Sequence, residues 1–153
     1  MNRIAPLLPE RNVAVGLDAA NKRDLFAAVA DLFEAAGGPR RETVVDALAA
    51  REKLGSTGLG QGIAIPHGRI KGLKEARGAF VRLAQPIPFD APDGRPVNQV
   101  FVLLVPEQAT EQHLELLSEL AQMFSERAFR DRIAAAPDAS AAWAVMRDWS
   151  PAS

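Results

Sequence analysis

The chain contains no cysteine and no tyrosine. Without cysteine there is no disulfide framework, no thiolate zinc site, no iron-sulfur cluster and no thiol nucleophile, so any nucleophile must be an oxygen or a nitrogen. Aromatic residues make up only 6% of the sequence, which leaves few platforms on which single-stranded bases can stack. Neither sign of charge dominates: 18 Lys and Arg face 19 Asp and Glu, for a net charge of −1. A chain so close to neutral exerts no global pull on nucleic acid or anionic lipid, and no nucleic-acid partner is expected. No apolar run approaches the ~18 residues of a membrane span. The opening Met1-Asn2-Arg3-Ile4-Ala5-Pro6-Leu7-Leu8-Pro9 is broken by two prolines where a signal peptide needs an unbroken apolar region. A cytoplasmic protein without membrane insertion is the expectation.

What remains is ordinary globular material, 48% hydrophobic and 24% charged over 153 residues, which is the size of one domain. There is no internal repeat, so residues 1–153 are read as a single domain with an ordered core over about 10–149 and a tail, 150–153, expected to fray. Asn12-Val13-Ala14-Val15-Gly16 reads as a short edge strand, and Asn21 with Asp24 marks a capped helix start. Leu25, Phe26, Val29, Leu32 and Phe33 then recur at helical spacing until Gly37-Gly38-Pro39. A second helix is predicted over 41–53, with Val44 and Leu48 on its apolar face. Residues 55–62 hold four glycines and read as a loop. Ile63-Ala64-Ile65 is a buried strand ended by Pro66, with His67-Gly68 just beyond it. Longer strands are predicted over 78–83 and 100–105, the second almost wholly apolar and so central, with a turn or hairpin between them over 85–97. Helices follow from Thr110, around Phe129 and Ile133, and over 140–149, the first with a stripe of Leu117, Leu120, Ala121 and Phe124. The interleaving predicts an α/β domain, a mixed β-sheet sandwiched between helices.

The two histidines are the only side chains that titrate near neutrality, with an ordinary pKa of ~6.5. His67 sits after a buried strand, where α/β folds present function; Pro66 fixes the backbone on one side and Gly68 leaves room on the other. The plainer alternative is a hydrogen-bonded turn histidine. His113 shares a helical face with Leu117, Leu120 and Phe124 near a helix start, where a neutral imidazole suits an incoming anion; a satisfied core histidine is the competing reading. Arg51 falls in the middle of the apolar face set by Val44 and Leu48, so its guanidinium must find an anion or hydrogen-bond acceptors. Glu52 turns away and reads as a solvated surface charge. A phosphoryl group in transfer needs an in-line nucleophile, a close backbone and a cation. His67, the glycine loop and Arg51 offer those three. The loop lacks the endings of a P-loop or a dinucleotide turn, and there is no G-x-S-x-G elbow. Two widely spaced histidines without H-E-x-x-H or cysteine argue against a metal, and no cofactor is expected. Arg69, Lys71, Lys74, Arg77 and Arg82 make a loose basic patch that either attracts an acidic protein surface or is simply solvated.

Arg51-Glu52-Lys53-Leu54-Gly55-Ser56-Thr57-Gly58, continuing to Gly62-Ile63-Ala64-Ile65-Pro66-His67-Gly68, resembles the signature of the mannitol/fructose-type enzyme IIA domains of the bacterial phosphotransferase system, above all the nitrogen-related branch. The likeness extends to Phe89-Asp90-Ala91-Pro92-Asp93, Leu104-Val105-Pro106 and His113-Leu114, with Pro88 a local departure where the branch often has an acidic residue. The resemblance implies that His67 accepts a phosphoryl group from a phosphorylated HPr-like carrier, that Arg51 and His113 flank the phosphohistidine, and that Ser56, Thr57, Gly58 and Gly68 form the phosphate-binding loop. It also implies regulatory target proteins, with a potassium transporter or a sensor kinase as candidates. A sugar-specific IIA that passes phosphate to a IIB domain and a binding module without transfer activity are the alternatives.

Overall fold

The computed structural model describes residues 2–108 and 110–151. Ala152 and Ser153, in the tail expected to fray, lie outside them. Among the described residues five α-helices pack on a six-stranded mixed sheet. The elements are β1 (Val13–Leu17), α1 (Lys22–Ala35), α2 (Arg41–Glu52), β2 (Gly58–Gly60), β3 (Ile63–Ala64), β4 (His67–Ile70), β5 (Arg77–Ile87), β6 (Val97–Pro106), α3 (Glu111–Ser125), α4 (Arg127–Ala135) and α5 (Ala139–Asp148). No helix among the described residues is long and apolar enough to cross a membrane.

The apolar β6 is central. It pairs antiparallel with β5 along one edge, and along the other it pairs parallel with β3 and then with β4. β1 runs parallel to β5 at one margin and β2 pairs antiparallel with β3 at the other. Alternation along β6 divides the core in two. Phe101, Leu103 and Val105 face α3, α4 and α5, where Phe124, Phe129 and Trp149 pack edge to face. Val100, Val102 and Leu104 face α1 and α2, meeting Phe33, Val44 and Leu48. Ile4 and Leu8 are also buried in the first of these cores, so ordered packing reaches further toward the N-terminus than the expected 10–149.

The Asn21 side chain caps α1 by accepting the Asp24 N–H at 2.9 Å. The hairpin between β5 and β6 is present, and its loop is held by Asp93, whose carboxylate accepts the N–H groups of Gln61 and Arg95 at 2.8 and 3.1 Å. These two bonds hold the Asp93 carboxyl below the usual carboxylate pKa.

Three local expectations change. The stretch over 55–62 is not all loop, because β2 lies inside it. His67 does not sit in a loop past a strand but opens β4. Pro66 removes one donor, yet its carbonyl still accepts the Leu103 N–H at 3.0 Å, so the chain resumes pairing with the same neighbour. On α3 the buried side chains are Leu116, Leu120, Met123 and Phe124. The stripe is therefore rotated relative to the predicted one, and the His113 and Leu117 face is turned toward the sheet edge.

Candidate functional site

Among the described residues β4 pairs only with β6, so the outer side of β4 is an open sheet edge. The two helical layers meet there and leave a cleft of about 490 Å³. Alternation on β4 places His67 and Arg69 on one face of the strand and Gly68 and Ile70 on the other. From α2 the cleft receives Ala47, Ala50 and Arg51; from α3 it receives His113, Leu114 and Leu117. The structure thus brings together Arg51, His67, Gly68 and His113 from the candidate set. Arg69, read from sequence only as part of a basic patch, joins them.

The half-buried His67 ring has its Nδ1 2.9 Å from the carbonyl oxygen of Ile65. A carbonyl can only accept, so Nδ1 carries the proton and Nε2 keeps the lone pair. Burial, the dominant influence, and then the positive charge of Arg51 push the ring pKa below 6.5, against the opposing pull of the Ile65 bond and Glu52. The ring is neutral at pH 7. His113 has the opposite arrangement. At the third position of α3 it closes a capping box in which its Nδ1 accepts the Thr110 N–H at 2.9 Å. Its proton therefore sits on Nε2, and that nitrogen is a donor. One imidazole of the cleft thus leaves a lone pair on Nε2 and the other an N–H.

Arg51 Nη1 donates to the Gly55 carbonyl at 2.9 Å, which meets the sequence-level requirement that this guanidinium find an acceptor. Five donors on one guanidinium leave others for a ligand. With Arg69 it gives the cleft two fixed positive charges, and no Asp or Glu lines the wall. A dianion entering here meets only attraction and donors. Among the described residues no group of three His, Asp or Glu is arranged to hold a metal ion.

Glu52 is the clear correction. Its side chain is 8% exposed and bound on all sides. It accepts the Lys22 ammonium at 2.8 Å, the Thr57 hydroxyl at 2.7 Å and the Thr57 N–H at 3.1 Å. Lys22 also sits 4.6 Å over the Phe89 ring. The solvated reading failed because Glu52 is the last residue of α2, and the chain folds back over it. Ser56, Thr57 and Gly58 lie outside the lining of this cleft. Ser56 gives its hydroxyl to the Phe89 carbonyl at 2.6 Å and accepts the Gly58 N–H at 3.0 Å. A Cβ on Gly58 would lie 2.9 Å from that of Ala91, so the glycine serves packing within the chain. Gly68 does line the cleft, but the direction expected to be free is filled: a Cβ there would come 3.0 Å from the Cβ of Ala47 and 3.2 Å from its carbonyl carbon. It lets α2, and with it Arg51, approach β4. The basic patch also divides. Arg82 donates to the carbonyls of Ile133 and Ala136 at 2.7 and 2.8 Å, capping the end of α4 on the far layer.

Two large apolar side chains stand out beside the cleft: Leu54 is 84% and Leu114 58% exposed. Sequence periodicity assigned them no role. Their signal is negative, a leucine with no core face to belong to.

Residues 6–149 match the model of the family described as "Phosphoenolpyruvate-dependent sugar phosphotransferase system, EIIA 2". The chain belongs to this EIIA family. Among its relatives is a nitrogen regulatory protein of Pseudomonas aeruginosa, 41% identical over 97% of each chain. The crystal structure of the nitrogen regulatory protein IIA-Ntr from Neisseria meningitidis superposes with a TM-score of 0.89 at 45% identity, covering 95% of this chain and 99% of that one. The Escherichia coli mannitol enzyme IIA, solved in complex with phosphorylated enzyme IIB, shares the fold at a TM-score of 0.75 and 20% identity, covering 92% of this chain and 98% of that one. This EIIA domain is thus an α/β sandwich similar in sequence to nitrogen regulatory proteins, as the motif around His67 led us to expect.

Proposed function

We propose that this EIIA domain is a cytoplasmic phosphoryl carrier in which Nε2 of His67 accepts a phosphoryl group from a phosphorylated HPr-like protein. The observation that carries the reading is the tautomer of His67. Its Nδ1–H is committed to Ile65, and a lone pair is left on Nε2 in a cleft whose charged side chains are both guanidiniums. In the transfer, a bond forms between Nε2 and phosphorus as the donor's nitrogen–phosphorus bond breaks, and the donor ring leaves with that electron pair. No proton has to leave His67 first. The positive charge that develops on its ring is stabilised through the Nδ1–H bond to the Ile65 carbonyl. Arg51 offsets charge on the transferring oxygens, and the Nε2–H of His113 donates to one of them.

The exposed Leu54 and Leu114 on opposite walls fit a partner that docks directly over the histidine. Because the chain is similar to nitrogen regulatory proteins, we assign its output to target proteins that respond to whether His67 is phosphorylated, a potassium transporter or a sensor kinase among the candidates. Ser56, Thr57 and Gly58 act by holding the α2 end in place. Intact mass spectrometry tests the assignment, after incubation with phosphoenolpyruvate, enzyme I and an HPr-like carrier under conditions that preserve acid-labile phosphohistidine. One added phosphoryl group on the wild type and none on His67→Ala, with an unchanged melting curve, is the expected result. Labelling of His67→Ala at the wild-type rate, or no labelling of the wild type by any carrier, overturns it. A second incubation with a purified IIB domain separates a regulator from a sugar-transport component, which alone would hand the group on.

A further inference from the structure

Beyond the far end of β4, a second and larger cleft of about 780 Å³ opens between the turn joining α1 to α2, the N-terminal stretch and the connection from β4 to β5. Its volume lies within the roughly 300–1,000 Å³ of small-molecule sites. Arg40, Lys71, Lys74 and Arg77 stand on its wall against one carboxylate, Glu75. Four cations against one anion is a local excess in a chain whose net charge is −1. Ion pairs elsewhere are common: Arg41 reaches Asp31 at 2.8 Å and Lys22 reaches Glu52 at 2.8 Å. Yet none of the four cations has an ion pair or side-chain hydrogen bond among the described residues. Gathered around a concavity and left unpaired, they repel one another until an anion enters.

One side of the cleft is anchored in the sheet. Arg77 opens β5, where it pairs with Leu104 of the central strand, and its side chain is half-buried. A Cβ on Gly38 would lie 2.8 Å from the Phe33 carbonyl oxygen, so glycine lets the turn close over the end of α1, with Nη1 of Arg77 beside it. Thr43, from the first turn of α2, adds a hydroxyl, and Leu7 and Leu73 supply an apolar side. No aromatic ring lines the wall, so a nucleobase would have nothing to stack on.

We propose that this cleft binds a small, non-aromatic polyanion with two phosphate groups, the class that fructose 1,6-bisphosphate represents. Two phosphate monoesters bring about −3 to −4 at pH 7, which answers the four cations. Cations from three separate segments line one concavity, which favours a small molecule over the surface of an acidic protein. The site is separate from the His67 cleft, and the proposal does not depend on phosphoryl acceptance there.

The test is an amide-resolved NMR titration of the full chain with fructose 1,6-bisphosphate, with sulfate at matched ionic strength as the control. Saturable shifts over residues 37–43 and 70–77 are expected, absent with sulfate. Arg77→Gln and the double variant Lys71→Gln/Lys74→Gln should each weaken binding by about 10-fold or more, since charge-assisted bonds to phosphate are lost. If Arg77→Gln perturbs the whole spectrum, the two exposed lysines decide alone. Absence of saturable shifts, shifts centred on Arg51 and His67 instead, wild-type affinity in the lysine variant, or saturation by an acidic peptide but not by the bisphosphate would each overturn the proposal.

Discussion

The two walls of the His67 cleft are held by different means. On the α2 side, Arg51 stands next to a buried carboxylate, Glu52, tied by three bonds to Lys22 and Thr57, while Ser56 ties the same segment to Phe89. On the α3 side, His113 is held by one cap from Thr110, in a turn where Thr110 and Leu114 are exposed. Removing one partner from a buried charged network costs about 3 kcal/mol, whereas an exposed cap contributes about 1 kcal/mol. The first wall is therefore a frame, and the second can adjust to whatever enters.

The sharpest way to break that contrast is Glu52→Ala. It leaves Lys22 with only the exposed Asp90 at 3.6 Å and strands two donors of Thr57, and the expected loss is about 3 kcal/mol in stability, read as a lower denaturant midpoint at constant slope. A loss no larger than that of an exposed charge would end the distinction between the walls. Arg51→Ala should leave the midpoint near its wild-type position but slow phosphoryl acceptance by roughly 100-fold, the scale of one lost charge-stabilising donor. An unchanged rate would make Arg51 a purely structural partner of Gly55. His113→Ala is expected to cost about 1 kcal/mol of stability through the lost cap and to slow the transfer by about 10-fold; His113→Gln, which can still accept the Thr110 N–H, should recover the stability and less of the rate.

The smallest effect is on pH. Because the His67 pKa is lowered in the folded state, the unfolded chain binds the proton more readily. Stability from this group is complete above about pH 6.5 and declines as the pH falls through that value toward the folded pKa. Acceptance by His67 should hold its rate below pH 6.5 until the depressed pKa is reached. Ring titration by NMR should show Arg51→Ala raising that pKa and Glu52→Gln lowering it, since the first removes a repelling charge and the second an attracting one. Shifts of the opposite sign would contradict the electrostatics assigned to the α2 wall.

Much of the frame was legible residue by residue. The Asn21 cap, the stop at Gly37-Gly38-Pro39 and the apolar β6 are local signals, and each produced its element. The spacing of Arg51 from Val44 and Leu48 was legible for the same reason, whereas the His113 face of α3 came out rotated toward the sheet edge. Glu52 was not, because its partners are five residues ahead and thirty behind. β4 was missed because a proline ordinarily closes a strand, and only the parallel neighbour β6 shows that pairing continues past it. The capping box formed by Thr110 and His113 was within reach, as its three-residue spacing is that of the usual pair with a histidine in place of the acid. The bond that sets the His67 tautomer was not, since it depends on how the chain turns at Pro66.

By itself the sequence bounded the kind of chemistry available, an oxygen or nitrogen nucleophile and no thiol, and gave most of the order of helices and strands. These follow from residue types and from periods of two and 3.6, which are properties of a short stretch of chain. Tertiary structure alone decided which imidazole nitrogen keeps its lone pair, that Arg69 joins the cleft, that Glu52 lies buried, and that Ser56, Thr57 and Gly58 bind their own chain. Those outcomes are set by hydrogen bonds and close contacts between distant segments, which exist only once the sheet has brought α2, β4 and α3 to a single edge.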